Sequence, residues 1–196
     1  MFMSRRIVPL LAAVATSLLL PACAEPPNKE MDRAQGAIDA AHAAGAEQYA
    51  TTEYAAAITA LERATGAVGA GDYRLALNYA LDSHEHAQNA ARETADAKAR
   101  MRADVERALT EIRALLADGQ TRLSAAARSG QPRRQLTQPT QAFEAAQASL
   151  QEASEALEGG DYLAANAALE GVKEGVGKAI AALAAASRSQ SLRRRR

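Results

Sequence analysis

Residues 72–118 read DYRLALNYALDSHEHAQNAARETADAKARMRADVERALTEIRALLAD, a stretch of 47 residues that contains neither glycine nor proline. A stretch free of both helix breakers predicts one continuous α-helix, about 70 Å long. Small or apolar residues recur along it at every third or fourth position, the spacing of a packed helix face. These positions are Ala80, Ser83, Ala87, Ala90, Thr94, Ala97, Met101, Val105, Ala108, Ile112 and Leu115. We therefore expect a helix of about 45 residues to form the skeleton of the fold.

The apolar face of this helix changes along its length. Its first half is built from small residues, which let a neighbouring backbone come close, whereas Met101 to Leu115 carries larger side chains. Larger side chains predict a different neighbour, either elsewhere in the chain or in another subunit. We take the seam from Met101 to Leu115 as the candidate contact surface for a protein partner.

Two shorter helices are predicted before the long one. The first runs from Met31 to Gly45, and the second starts at Thr51 or Thr52, either of which could cap it, and ends near Gly69. The apolar positions that we assign to the second helix are Tyr54, Ile58, Leu61, Thr65 and Val68. Their steps of three and four predict one buried stripe.

A short motif occurs twice. Gly71-Asp72-Tyr73 and Gly160-Asp161-Tyr162 lie 89 residues apart in similar surroundings. In each copy we expect the glycine to end one helix, the aspartate to cap the next, and the tyrosine to pack across the corner. The repeat predicts that one type of helical hairpin is used twice, and a structural role outweighs a binding role.

Glycines and prolines divide the rest of the chain. Residues 119–138 include Gly119, Gly130 and Pro132 and predict a linker, and residues 139–187 predict a second helical hairpin. Residues 188–196 predict a disordered basic tail, with binding to anionic lipid headgroups or lipopolysaccharide as the alternative. Residues 31–118 form the alanine-rich helical domain.

Composition supports an all-α fold of elongated antiparallel helical hairpins or a bundle. Alanine is the commonest residue, tryptophan is absent, and seven residues are aromatic. The 23 basic and 23 acidic residues balance over the whole chain. Without a clustered cationic surface, nucleic acid is not expected as a partner.

The N-terminus predicts export. Arg5 and Arg6 precede an apolar stretch from Ile7 to Leu20, which is too short to span a bilayer and is typical of a signal-peptide helix over residues 1–22. Cys23, the single cysteine of the chain, follows at once and has no disulfide partner. We expect lipid attachment at Cys23 and a flexible spacer over residues 23–30.

Recognisable chemistry is sparse. His84 and His86 lie two residues apart on a helix and point in nearly opposite directions, so they cannot share a metal ion. No catalytic motif, phosphate loop or metal-ligand spacing occurs. We therefore predict no catalytic, cofactor-binding or metal site, and no enzymatic activity.

Two resemblances extend this interpretation. Leu20, Ala22 and Cys23 resemble the lipobox of bacterial lipoproteins, and Pro21 is an uncommon residue at its middle position. Met31 to Leu116 resembles a lipoprotein family catalogued as domain of unknown function 4398, through the Gly-Asp-Tyr corner and the alanines that descend the long helix. These resemblances imply a helical fold and an envelope location. Ala24 after the cysteine implies the outer membrane, facing the periplasm, with inner-membrane anchoring as the alternative.

The leading hypothesis is a non-enzymatic structural or adaptor role. The lipid would hold the chain to the membrane, and a helical surface would contact an envelope protein, the cell wall or a second copy in a homo-oligomer. The alternative is a periplasmic binding module that holds a small apolar or peptide-like ligand between its helices.

Overall fold

The computed structural model describes residues 25–194, which form seven helices and no strand. The helices are α1 (Asn28–Ala44), α2 (Ala46–Tyr49), α3 (Thr51–Gly69), α4 (Tyr73–Arg128), α5 (Arg133–Glu158), α6 (Tyr162–Leu169) and α7 (Val172–Arg194). The all-α prediction with one dominant helix is confirmed. No helix of the described range is both long and apolar enough to cross a membrane. The predicted signal peptide and Cys23 lie outside the described residues.

The long helix α4 extends further than predicted. It has 56 residues and continues through Gly119 to Arg128, so the predicted linker over residues 119–138 is wrong. Only residues 129–132 lie outside a helix there, and the break comes at Gly130, whose φ of +81° is left-handed. Gly119 remains helical because packing favours it: its bare Cα allows the ring of Phe143 to come close.

Other element boundaries also differ from the predictions. Residues 46–50, between the first two predicted helices, contain the short helix α2, and the side chains of Thr51 and Thr52 do not cap α3. Helix α1 begins at Asn28, inside the predicted spacer. The second hairpin is interrupted at Gly171 (φ +72°), and α7 then continues to Arg194 through most of the predicted disordered tail.

The chain divides into two compact units within α4, one ending at Ala91 and the other beginning at Arg92. We call their described parts the N-terminal unit (residues 25–91) and the C-terminal unit (residues 92–194). The predicted domain boundary at residue 118 therefore differs from the observed one, because the side chains of α4 after Ala91 pack with α5, α6 and α7.

The N-terminal unit packs α1, α3 and the start of α4 around very small side chains. Its buried hydrophobic residues are Ile38 and twelve alanines, and the hydroxyl of Ser83 donates a 2.7 Å hydrogen bond to the carbonyl of Ala57 across the interface. Alanine and serine let helices approach closely, but each buries little apolar area. The unit therefore has a thin interior.

The C-terminal unit has a core of larger side chains. Val105, Leu109, Ile112 and Leu116 of α4 are buried in it, and Met101, Ala108 and Leu115 pack against it. The face predicted as a partner-binding seam is thus covered within the chain by α5, α6 and α7. The prediction of a free contact surface between Met101 and Leu115 is wrong.

Candidate functional site

The repeated corner has the same geometry in both copies. Gly71 and Gly160 have φ values of +76° and +78°, which only glycine adopts without strain. The amides of Asp72 and Asp161 donate to carbonyls at the ends of the preceding helices, at 3.0 and 2.9 Å. These bonds satisfy carbonyls that a helix end leaves free.

The aspartate side chains then start the next helices. Asp72 Oδ1 accepts a 2.9 Å hydrogen bond from the amide of Leu75, and Asp161 Oδ1 accepts one of 2.9 Å from the amide of Ala164. Tyr73 and Tyr162 are partly buried beside them. These hydrogen bonds join each turn to its two flanking helices, so the two Gly-Asp-Tyr motifs form helix corners.

One of the two neighbouring histidines forms a link between helices. His86 Nδ1 of α4 lies 2.8 Å from Glu53 Oε2 of α3, and both side chains are partly exposed. This hydrogen bond is the main reason why the pKa of Glu53 lies below its ordinary value; burial opposes the effect. Within residues 25–194, no three His, Cys, Asp or Glu side chains are grouped closely enough to hold a metal ion.

An open groove of about 560 Å³ lies between α1 and α3 in the N-terminal unit. Its apolar lining consists of Ile38 from α1 and of Tyr54, Ile58 and Leu61 from α3. Ile38 is buried in the floor, whereas the three α3 side chains are only partly buried. The groove thus brings four bulky apolar side chains together around one cavity.

Polar side chains form the rest of the lining. Asp39 and Glu62 contribute one carboxylate from each helix, and Gln35 donates a 2.8 Å hydrogen bond to Asp39. The ring of His42 lies 6.0 Å from that of Tyr54, centroid to centroid. Neither lysine nor arginine lines this groove. The groove thus combines an apolar floor with an acidic rim.

The surrounding unit is acidic as well. Residues 25–91 include ten acidic and four basic residues, a formal charge of −6, although the whole chain is neutral. Long-range electrostatics at this unit therefore favour a cationic partner over an anionic one.

The predicted apolar stripe of α3 is only partly buried, and the neighbouring alanine stripe forms the interior. Tyr54, Ile58, Leu61 and Val68 of the predicted stripe are partly buried and Thr65 is exposed, whereas the fully buried positions are Ala57, Ala60, Ala64 and Ala67. The two stripes are adjacent and have the same spacing of three and four. The signal for the groove was present in the sequence as larger apolar residues beside a complete alanine stripe.

Comparison with known proteins gives one family. No match was found among curated proteins or among solved structures. The matching family model is described as Domain of unknown function (DUF4398) and covers residues 29–106, a range that includes the α1–α3 groove and the first Gly-Asp-Tyr corner. Over residues 29–106, which are 78 of its 196 residues, the chain is similar to the DUF4398 family.

Proposed function

We propose that this protein is a lipid-anchored envelope protein with a non-enzymatic structural or adaptor role. Its place is the periplasmic face of the outer membrane, with attachment through Cys23. The proposed envelope location rests on the arginine pair, the apolar stretch and the lipobox-like residues before Cys23. The adaptor role rests on the α1–α3 groove, where bulky apolar side chains stay partly exposed around an interior filled by alanine. Apolar surface of this kind gains free energy when a partner covers it.

The anchor is tested by mass spectrometry of the mature amino terminus after expression of the full chain in a Gram-negative bacterium. We expect an N-terminal residue at position 23 with acyl chains, and no fatty-acid incorporation in Cys23→Ser. Ala24→Ser, which leaves the cysteine in place, is the matched control and should keep the acyl chains. A mature terminus elsewhere with an unmodified sulfur would overturn the anchor.

The choice of membrane has its own test. Ala24→Asp is expected to move the lipidated protein from the outer-membrane fraction to the inner-membrane fraction on a density gradient. An unchanged distribution of this variant would contradict outer-membrane sorting through the residue after Cys23.

The adaptor role is tested by placing a photo-crosslinking amino acid in the living cell. Thr65 lines the groove and Thr121 lies on α4 in the C-terminal unit; both are exposed, and both hydroxyls bond the carbonyl four residues earlier. We expect a specific envelope protein to crosslink at position 65 and not at position 121. Equal crosslinking at both sites, or none at 65, would remove support for the groove as the contact surface.

The second candidate is a binding module for a small apolar or peptide-like ligand. The groove favours it because a volume of about 560 Å³ lies within the range of small-molecule sites. A thermal-shift screen distinguishes it: a small compound that raises the unfolding temperature of the wild type, but not of Thr65→Arg, would favour this function.

A further inference from the structure

From the groove and its charge, we infer that the α1–α3 groove binds a basic amphipathic helix of a partner protein. This inference rests on the proposed adaptor role and specifies the chemistry of the partner. It concerns the N-terminal unit alone.

The apolar part of the surface has the spacing of a helix-binding groove. Tyr54, Ile58 and Leu61 follow one another along α3 at steps of four and three, and Thr65 continues the row. The row is about 17 Å long, or three helical turns. An incoming helix with apolar residues at positions i, i+3 or i+4, and i+7 would place one side chain against each turn.

The apolar side chains of this row are partly buried. The buried face of α3 is occupied by Ala57, Ala60, Ala64 and Ala67, whose small side chains allow close helix packing. Ile38 closes the floor of the groove with 6% of its surface exposed. Tyr54, Ile58 and Leu61 therefore pack against the core on one side and stay open to the groove on the other, where a partner can cover them.

The acidic side chains of the groove favour a partner of positive charge. Asp39 and Glu62 stand on opposite helices of the groove, no lysine or arginine lines it, and the unit carries a formal charge of −6. Lysine or arginine residues that flank the apolar stripe of a partner helix would meet these carboxylates, and one could lie over the ring of Tyr54. An acidic helix would be repelled by the same charges.

The probe is a synthetic leucine-lysine amphipathic peptide of about 18 residues, labelled for fluorescence anisotropy and mixed with the detergent-solubilised full-length protein. Two control peptides are needed. One has glutamate in place of lysine, and the other has the same composition in an order that lacks a helical stripe. We expect binding of the basic amphipathic peptide alone, and weaker binding as salt rises from about 50 to about 500 mM.

Variants locate the binding site. Leu61→Ser and Thr65→Arg are each expected to weaken binding about tenfold, because one removes an apolar contact and the other adds bulk and positive charge. Thr65 is exposed, so its variant keeps the fold even if Leu61→Ser does not. Leu81→Ser, at an exposed leucine of α4 outside the groove, is the apolar control and should leave affinity unchanged.

The carboxylates have a matched control in the same unit. The double variant Asp39→Asn and Glu62→Gln should weaken binding severalfold and flatten its salt dependence. Glu85→Gln removes an exposed carboxylate outside the groove and should do neither. Unchanged affinity in the groove variants, or equal binding of the acidic peptide, would overturn the inference.

The outcomes separate this inference from the adaptor role itself. If position 65 crosslinks an envelope protein in cells but the basic peptide does not bind, the adaptor role stands and the helix chemistry is wrong. Concentration-dependent self-association that Thr65→Arg abolishes would also overturn the inference, because a second copy of the chain would then occupy the groove.

Discussion

Gly119 is a glycine that predicts a helix break from the sequence but lies inside α4 in the structure. A glycine inside a helix costs about 1 kcal/mol relative to alanine, which is why residues 119–138 were expected to form a linker. In the structure, a Cβ at this position would lie 2.6 Å from Cζ of Phe143 and 3.3 Å from Cγ1 of Ile180. Phe143 is itself buried in the core. The local cost is therefore offset by close packing of an aromatic ring against the backbone.

We predict that Gly119→Ala lowers the free energy of unfolding, whereas the same substitution at a glycine with free space around it does not. Overpacking of a filled core costs about 1–3 kcal/mol, which exceeds the gain in helix propensity. Gly175→Ala is the control in the same unit, since nothing lies within 4 Å of its new Cβ, and it should be stabilising. Chemical denaturation of the two variants measures the difference.

The contact with Phe143 can be isolated by a second substitution. Phe143→Leu removes the ring atoms that a Cβ at position 119 would meet, so Gly119→Ala should cost less in that background. If Gly119→Ala and Gly175→Ala stabilise the protein equally, the close approach is not what keeps glycine at position 119.

At the scale of elements, α3 and α4 are joined by polar contacts as well as by alanine packing. The buried hydroxyl of Ser83 donates to the carbonyl of Ala57, and His86 pairs with Glu53 one turn further along. The hydrogen bond from His86 lowers the pKa of Glu53, so the folded state stabilises its carboxylate form. We therefore expect the stability of this interface to depend on pH.

We predict that the contribution of Glu53 to stability is present at neutral pH and lost in acid. A carboxyl group with a lowered pKa in the folded state stabilises the protein above its unfolded value, near 4.5, and loses that contribution as pH falls through the folded value. Because both side chains are partly exposed, the effect should be about 1 kcal/mol or less.

The measurement compares the unfolding free energy of the wild type and Glu53→Gln between about pH 3 and pH 7. The difference in unfolding free energy between the two proteins should decrease toward pH 3. In a His86→Ala background, Glu53→Gln should have a much smaller effect at any pH, since the main cause of the shift is gone. A gap that is independent of pH would refute the role of this pair.

At the scale of the whole molecule, the two units differ in what fills them. Alanines occupy most of the interior up to Ala91, whereas valine, leucine, isoleucine and phenylalanine fill the C-terminal core. Buried apolar area contributes about 25 cal/mol per Å², so each buried leucine or isoleucine stabilises its unit more than an alanine does. The N-terminal unit should therefore open more readily.

We predict a difference in amide hydrogen exchange along the single helix α4. Amides around Ala80, Ser83 and Ala87 should take up deuterium faster than those around Leu109 and Ile112, because local opening requires less apolar surface to be exposed. Both segments lie in the interior of the same helix, so each serves as the control for the other. Equal or reversed protection, measured by mass spectrometry, would contradict the ranking.

The sequence by itself determined the all-α class, the presence of one dominant helix and the positions of the two Gly-Asp-Tyr corners. These features depend on local physics: helix breakers, a left-handed glycine and an aspartate that accepts a bond from an amide three residues later. A family resemblance stated from the same residues is confirmed over residues 29–106. The role in the cell stays a prediction.

Only the tertiary structure decided which face of α3 is buried, where α4 ends and where one unit gives way to the other. The alanine stripe at Ala57 and the bulkier stripe at Ile58 have the same helical period, so periodicity alone cannot choose between them. Which stripe faces the interior depends on how closely the neighbouring helices approach, and small side chains are buried where the helix separation is short. The seam from Met101 to Leu115 became core for a different reason, because large apolar side chains of α5, α6 and α7 pack against it. The open apolar groove lies instead on α1 and α3.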